Sequence, residues 1–251
     1  MALSSADVEA IERATLSAVS PDRVEGLDGW LLPMDAGPIA RAHSAVPLHH
    51  GVHDPVLIDV IARAYQRAGL RAVFRLPEVP GFASWWPSLG DRGYRREQPT
   101  LTQIGTLDGL LALAAHSEGV ALESQPDHAW LAMYLGDGLK AADGAARARA
   151  LAREQGSVYA SLRHGGQTLA CCAAGFAHDW LSVHGLRTDA RRRRQGLAAR
   201  LLRGVAQEAQ RRGTSRVFLQ VDAGNAPALA LYHKAGMVTA WRYAYWRPQP
   251  R

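Results

Sequence analysis

Two short stretches of this chain combine residue types and spacings that can do chemistry. In Arg193-Arg194-Gln195-Gly196-Leu197-Ala198, cations and small residues stand directly before a helical stripe of apolar residues. A helix leaves its first backbone N–H groups unpaired and carries partial positive charge at that end, so an anion placed there is stabilised twice. Gly196 has no Cβ to hold a diphosphate away from the backbone, Ala198 is the next smallest choice, and the run from Arg191 to Arg194 supplies cations. Further along, Asn225-Ala226-Pro227-Ala228-Leu229-Ala230-Leu231-Tyr232-His233-Lys234-Ala235-Gly236-Met237 reads as a helix closed by glycine that presents a single tyrosine. The Tyr232 phenol can give up a proton.

The elements that must carry these stretches are legible around them. Trp180-Leu181-Ser182-Val183-His184-Gly185-Leu186-Arg187 is a strand that runs into the arginine loop. Leu197, Leu201, Leu202, Val205 and Ala209 form the apolar stripe of the next helix, Gly213 stops it, and Val217-Phe218-Leu219-Gln220-Val221 is a second strand. Upstream, Ser157 to Arg163 and Thr168 to Ala174 are strands joined by His164-Gly165-Gly166-Gln167, a hairpin signal. The alanine-rich stretch from Gly138 to Arg153 predicts a helix.

In this context the residues resemble the GCN5-related N-acetyltransferase (GNAT) superfamily. Arg193 to Ala198 is similar to that family's Q/R-x-x-G-x-G/A acetyl-CoA signature, and Asn225 to Met237 to its N-x-x-A-x-x-L-Y-x-x-x-G-F-like segment. The resemblance is close from Leu181 to Trp246 and looser from Val120 to Trp180. Ala198 stands for the commoner glycine, Ala190 for a frequent proline and Met237 for phenylalanine, and none of these removes a functional group.

The resemblance implies an N-acetyltransferase that uses acetyl-CoA as co-substrate, without a metal. Leu186, Arg187 and Thr188 would lie along the pantetheine arm, with the backbone of Leu186 and Thr188 bonding to it. Arg193, Arg194, Gln195, Gly196, Leu197, Ala198 and Ala199 would hold the diphosphate through their backbone. Asn225 would contact the cofactor near the thioester, and Tyr232 would protonate the departing thiolate, whose basicity is similar. His184 precedes Gly185, where several amine-acetylating members carry Glu-Gly, and is the candidate general base, with an imidazole near its intrinsic pKa. Asp179 and Asp222 are weaker candidates. A primary amine would attack the thioester carbonyl directly in a ternary complex, since no cysteine stands at a nucleophile position. A backbone N–H of the splayed strand would polarise that carbonyl.

The segment from Leu57 to Tyr94 repeats the pattern of Leu201 to Met237. Asp54 and Pro55 start a helix bearing Leu57, Val60, Ile61, Ala64 and Tyr65, Gly69 ends it, Val73-Phe74-Arg75-Leu76 is a strand, and Ser88 to Tyr94 is a short helical stretch closed by glycine. A repeat this long predicts duplication of a whole domain. The expected fold class is α/β (α+β), with GNAT-like domains over residues 1–112 and 113–251, each a mixed, mostly antiparallel twisted sheet flanked by helices. Thr106 to Leu113 reads as a connector or short helix. The first copy carries Ser44-Ala45-Val46-Pro47-Leu48-His49-His50-Gly51 opposite the arginine and glycine run, and Leu89 opposite Tyr232, so it is expected to be degenerate, keeping the fold without a cofactor site. Its loop from Pro77 to Pro87, with Trp85 and Trp86, is a candidate wall of the acceptor cleft, although core packing also accounts for these residues, as it does for Tyr243, Tyr245 and Trp246.

The whole chain sets limits. Its 251 residues, 47% hydrophobic and 21% charged, suffice for one large core or two modest ones, and they exclude disorder. No apolar run is long enough to span a bilayer, and the start carries acidic residues without a signal pattern, so the reading is cytoplasmic. Cys171 and Cys172, neighbours in a strand, point to opposite faces and read as small buried residues. His49, His50 and His53 lack a cysteine or carboxylate pattern and read as a polar loop. The net charge of +6 favours an anionic ligand. A basic nucleic-acid-binding protein would spread its cations along a face with aromatic platforms, whereas here they concentrate at one helix start. A non-catalytic acyl-CoA-binding sensor would lose the acid that Tyr232 keeps. The expected partner is a small-molecule or protein amine, with no membrane and no nucleic acid. The acceptor's identity, the length of the acyl group and a homodimer stay open.

Overall fold

The computed structural model describes residues 3–135, 144–147, 150, 153 and 156–249; the helix expected over 138–153 therefore lies largely outside the described residues. The first half runs α1 (Ser5–Val19), β1 (Arg23–Leu27), β2 (Trp30–Met34), β3 (Val46–Pro47), α2 (Leu57–Arg67), β4 (Phe74–Pro77), α3 (Trp85–Asp91) and β5 (Tyr94–Thr106). After α4 (Leu107–Leu111) come β6 (Val120–Glu123), α5 (His128–Ala132), β7 (Val158–His164), β8 (Gln167–Ala177), β9 (Trp180–Thr188), α6 (Leu197–Arg211), β10 (Arg216–Asp222), α7 (Ala226–Lys234) and β11 (Val238–Pro248). Local signals explain the boundaries. Ser4 and Asp7 form a reciprocal capping box that starts α1, and Gly165 and Gly166, both at positive φ, make the two-residue turn between β7 and β8.

Two sheets result, β1-β2-β3 and the eight-stranded β4-β11-β5-β10-β9-β8-β7-β6, joined by an isolated parallel bridge from Ala45 to Phe74. The centre of the large sheet is interleaved. The repeat makes β4 the counterpart of β10, and β5 the counterpart of β11. Yet β4 pairs with β11, β10 pairs with β5, and the two long strands pair with each other. Each half thus gives its long strand to the other half's short one, and hydrogen bonding runs straight across the boundary expected after residue 112.

Helices cover both faces. On one, the apolar stripe of α6 (Leu201, Leu202, Val205, Ala209) packs with Leu107 and Leu110 of α4, Tyr232 of α7, and Ala170, Cys172, Leu181, Val183, Val217, Leu219 and Val221 of the sheet. Full burial of each large aliphatic side chain stabilises by roughly 1.5–3 kcal/mol. On the other face α1 crosses β8 and β9, with Val8, Ile11 and Ala14 against Trp180, Phe218, Tyr243 and Tyr245. Cys171 lies on this second side, so the two cysteines do face opposite ways. No helix among the described residues is long and apolar enough to cross a membrane.

The first half has its own aromatic core. Trp30 and Trp85 stack at 4.7 Å, His53 accepts from Trp30 Nε1 (3.1 Å) through Nδ1 and from Trp85 Nε1 (2.9 Å) through its carbonyl, and Phe82 packs edge-on to both tryptophans. Of the two readings of Trp85 the structure bears out core packing, since the indole is fully buried, and it corrects the expectation for His53, which belongs to an aromatic cluster rather than a polar loop. The cause is the same in both cases: the loop before α2 turns inward and brings its polar groups to the indole N–H donors.

Candidate active site

The parallel strands β9 and β10 pair from Trp180↔Arg216 to Val183↔Leu219, and there the pairing stops, although β9 continues to Thr188 and β10 to Asp222. A bulge in β9 sets this point. Opposite it, β8 pairs Ala173 with His184 but Cys171 with Arg187, so three steps along β9 match two along β8. Gly185 takes φ +60 within the bulge, a conformation that costs a glycine little. The Tyr134 hydroxyl donates to the Gly185 carbonyl (2.8 Å) and fixes the distortion. Bulged strands bend, and the result is an opening at the carboxyl ends of two parallel strands, the place where open α/β sheets receive ligands.

The start of α6 lies at the same end, one loop beyond Thr188. Gly196 is its N-cap, at φ +75, and a Cβ built there would meet nothing within 4 Å, so the space over the helix start is free. Arg191, Arg192, Arg193 and Arg194 are exposed, and none of their side chains has a hydrogen-bond or ion-pair partner among the described residues. A cavity of about 370 Å³ runs from Thr188, Arg191 and Arg193 to Ala129, Ala132 and Met133 around α5. Arg187 lies over the Tyr134 ring at 5.5 Å.

Leu186, Leu197, Ala199 and Tyr232 share one apolar cluster, so the residues singled out on β9, α6 and α7 do converge. Asn225 caps α7, its Oδ1 accepting from the Ala228 N–H at 3.2 Å. The sequence reading gave this side chain to the cofactor; the cap occupies its oxygen and leaves its amide N–H groups. Tyr232 is buried, and desolvation, with the Cys172 thiol adding to it, pushes its pKa well above that of a free phenol, so the hydroxyl keeps its proton. The same desolvation raises the Cys172 thiol beside it.

His184 stands on the opposite face of the sheet, beneath α1 and edge-on to Phe218. An imidazole near its intrinsic pKa is not what the fold provides. Burial, reinforced by the charge of Arg41, pushes His184 down to about 3, and its Nε2 is buried with no partner among the described residues. Asp179 sits in the turn at the far end of β9, and Asp222 is exposed, accepting from the Gly224 N–H at 2.8 Å. Tyr134 escaped the sequence reading; its only signal was the Trp130 and Tyr134 pair, four residues apart across the end of a helix capped by Asp127.

Residues 5–246 match the family described as "Probable histone acetyltransferase Rv0428c C-terminal". The chain belongs to that family. A curated relative, the probable histone acetyltransferase Rv0428c of Mycobacterium tuberculosis, is 29% identical over 130 residues, which are 51% of this chain and 39% of that protein. The match therefore spans about two-fifths of the relative's length. Among solved structures, a GCN5-related N-acetyltransferase from Kribbella flavida superposes with a TM-score of 0.70 at 19% identity, over 97% of this chain and 96% of that one. A tandem GNAT protein of the clavulanic acid biosynthesis pathway does so with a TM-score of 0.59 at 16% identity, over 99% and 98%. The fold of this Rv0428c-type chain is that of the GNAT acetyltransferases.

Proposed function

We propose that the chain is an acetyl-CoA-dependent N-acetyltransferase with a single cofactor site, in its second half. The observation that carries this reading is the opening of β9 and β10 beside a helix start whose arginines have no partner among the described residues. The residues fit the cofactor: Gly196 leaves the backbone accessible, the arginines match a diphosphate in sign, and the groove beside Leu186 and Thr188 is open on the β10 side. Acetyl-CoA, when bound, supplies an acetyl group activated as a thioester.

The chain's own groups account for the rest. Backbone N–H groups from Arg193 to Ala199 bind the diphosphate, and the unpaired edge of β9 at Leu186 and Thr188 bonds the pantetheine arm. A β9 N–H at the bulge polarises the reacting carbonyl. As the amine's C–N bond forms and the C–S bond breaks, the Tyr232 hydroxyl gives its proton to sulfur, and the amine's proton passes to His184. A weakly basic imidazole suffices there, because the nitrogen becomes strongly acidic only once the new bond forms. Burial raises phenol and thiol alike, so Tyr232 and a thiolate in the same apolar site remain matched.

The first half is read as a degenerate copy. Its counterpart of the opening is reduced to the Ala45 to Phe74 bridge, and Trp30, His53, Phe82 and Trp85 fill the ground behind it. Titration calorimetry with acetyl-CoA should therefore return one site per chain. Two sites would overturn the degenerate first copy, and none would overturn the reading as a whole.

A further inference from the structure

His184 and Gln220 are the first residues past the last paired couple of β9 and β10, Val183↔Leu219, so they form the two lips of the opening on the α1 face. Each carries a buried atom without a hydrogen-bond partner among the described residues, Nε2 on His184 and Oε1 on Gln220. The Gln220 amide N–H donates to Thr15 Oγ1 of α1 (3.4 Å), which turns Oε1 the other way. With the His184 proton on Nδ1 both atoms are acceptors, and two unpartnered acceptors at the lips of an opening in a sheet suit the N–H groups of an amine.

The charge beside them is unbalanced. Glu12 of α1 is buried and paired with the buried Arg75 at 2.6 Å, so these two cancel. Arg41, from the turn Ala40–His43 that packs against α1, has no ion pair or hydrogen bond among the described residues, and its Nε is buried. Its charge is felt at His184, at Glu12 and at Tyr245, which places it over the same patch. A guanidinium left partly desolvated without a counter-charge is costly unless an anion joins it. The patch borders solvent, since Gly185 is exposed and Arg41 is only half-buried.

We propose that this patch is the acceptor subsite and that it selects amines bearing an anionic group, a carboxylate or a phosphate, with the nitrogen held by Gln220 and His184 and the anion by Arg41. The proposal rests on the acetyl-transfer reading. It gives Gln220 and Arg41 specificity roles, and it is distinct from the arginines before Gly196, which stand at the start of α6.

The test is coenzyme A release by the full-length protein with acetyl-CoA and paired acceptors: α-amino acids against their carboxamides, and phosphoethanolamine against ethanolamine. The anionic member of a pair should be favoured by about 10²-fold in kcat/KM, the value of one charge-assisted interaction, and the more favoured pair identifies the anion. Arg41→Met should bring that ratio to near one, chiefly through KM, while acetyl-CoA affinity by calorimetry stays at the wild-type value; Arg41→Lys should keep most of the preference. Equal turnover of neutral and anionic members, or an unchanged ratio in Arg41→Met, would overturn the subsite. The wild-type comparison decides even if the variants do not fold. No release with any acceptor, while acetyl-CoA binds, would overturn the acetyl-transfer reading instead.

Discussion

Removing the first half should unfold the second, because β5 lies between β10 and β11. It makes seven residue pairs with β10 and nine with β11. At about 1 kcal/mol net for each ladder hydrogen bond, the two ladders contribute roughly 10–20 kcal/mol, as much as the whole stability of a typical domain. A fragment of residues 113–251 would also expose the edges of β10 and β11, which invites aggregation. The assay is circular dichroism with thermal melting of the fragment, alone and co-expressed with residues 1–112. Alone it should be insoluble or melt without cooperativity; together the pieces should give a folded heterodimer that binds acetyl-CoA. Thr102→Pro tests the same point in the intact chain, since Thr102 is fully buried in β5 between Gln220 and Trp241, and proline there should cost about 3 kcal/mol or more. A monomeric 113–251 fragment with a cooperative melt and full acetyl-CoA affinity would show that β10 and β11 do not need β5.

Three further outcomes are expected. Gly196→Glu should lower acetyl-CoA affinity by about 30-fold or more, from roughly 1 kcal/mol of repulsion against each of two diphosphate charges at about 4 Å in water, yet shift the melting temperature by only a few degrees, because the left-handed φ costs a non-glycine residue about 1–2 kcal/mol while a Cβ meets nothing there and a carboxylate suits a helix start; unchanged affinity would remove the helix start from the site. Tyr232→Phe should leave acetyl-CoA affinity nearly intact and lower turnover by about 10²- to 10⁴-fold; unaffected turnover with a good acceptor would mean that another group supplies the proton. His184 and His50, both pushed down by burial, to about 3 and about 4, favour the neutral imidazole in the fold. Their folded pKa values lie below the unfolded value of 6.5, so this stability is present above 6.5 and is lost as pH falls, at about 1.4 kcal/mol per pH unit for each histidine between pH 6 and 4. Denaturant melts of His184→Asn against wild type should show one proton's slope removed over that range, and identical slopes would contradict the burial of the imidazole.

What the sequence disclosed, and what it hid, follows from the range of the interactions. The hairpin at Gly165-Gly166, the stripe of α6 and the Gly196 helix start are local patterns, and each falls where the spacing puts it. The interleaving of β5 and β11 is invisible locally, since a strand's pattern gives its faces and not its neighbours. The chemistry of His184 was misjudged for a related reason: a histidine in a strand reads the same whether solvent or α1 covers it, and burial beneath α1, with the charge of Arg41, takes the imidazole down to about 3. Arg41 and Gln220 could not be singled out from spacing, because they lie far apart in the chain and gain meaning only from the end of the β9 and β10 pairing. Trp85 was open to two readings, and the indole's bond to the His53 carbonyl settled it as core.

Acetyl transfer at the opening between β9 and β10 can be observed as its own products. The most direct measurement is coenzyme A release by the full-length chain with acetyl-CoA and a panel of amines, with mass spectrometry of the products, for wild type beside Tyr232→Phe. The wild type should release coenzyme A and N-acetylated amine in equal amounts, with a loss of about 10²-fold or more in the variant. Acetyl-CoA that binds but is never consumed beyond its background hydrolysis, with no acetylated amine from any acceptor, would contradict acetyl transfer there.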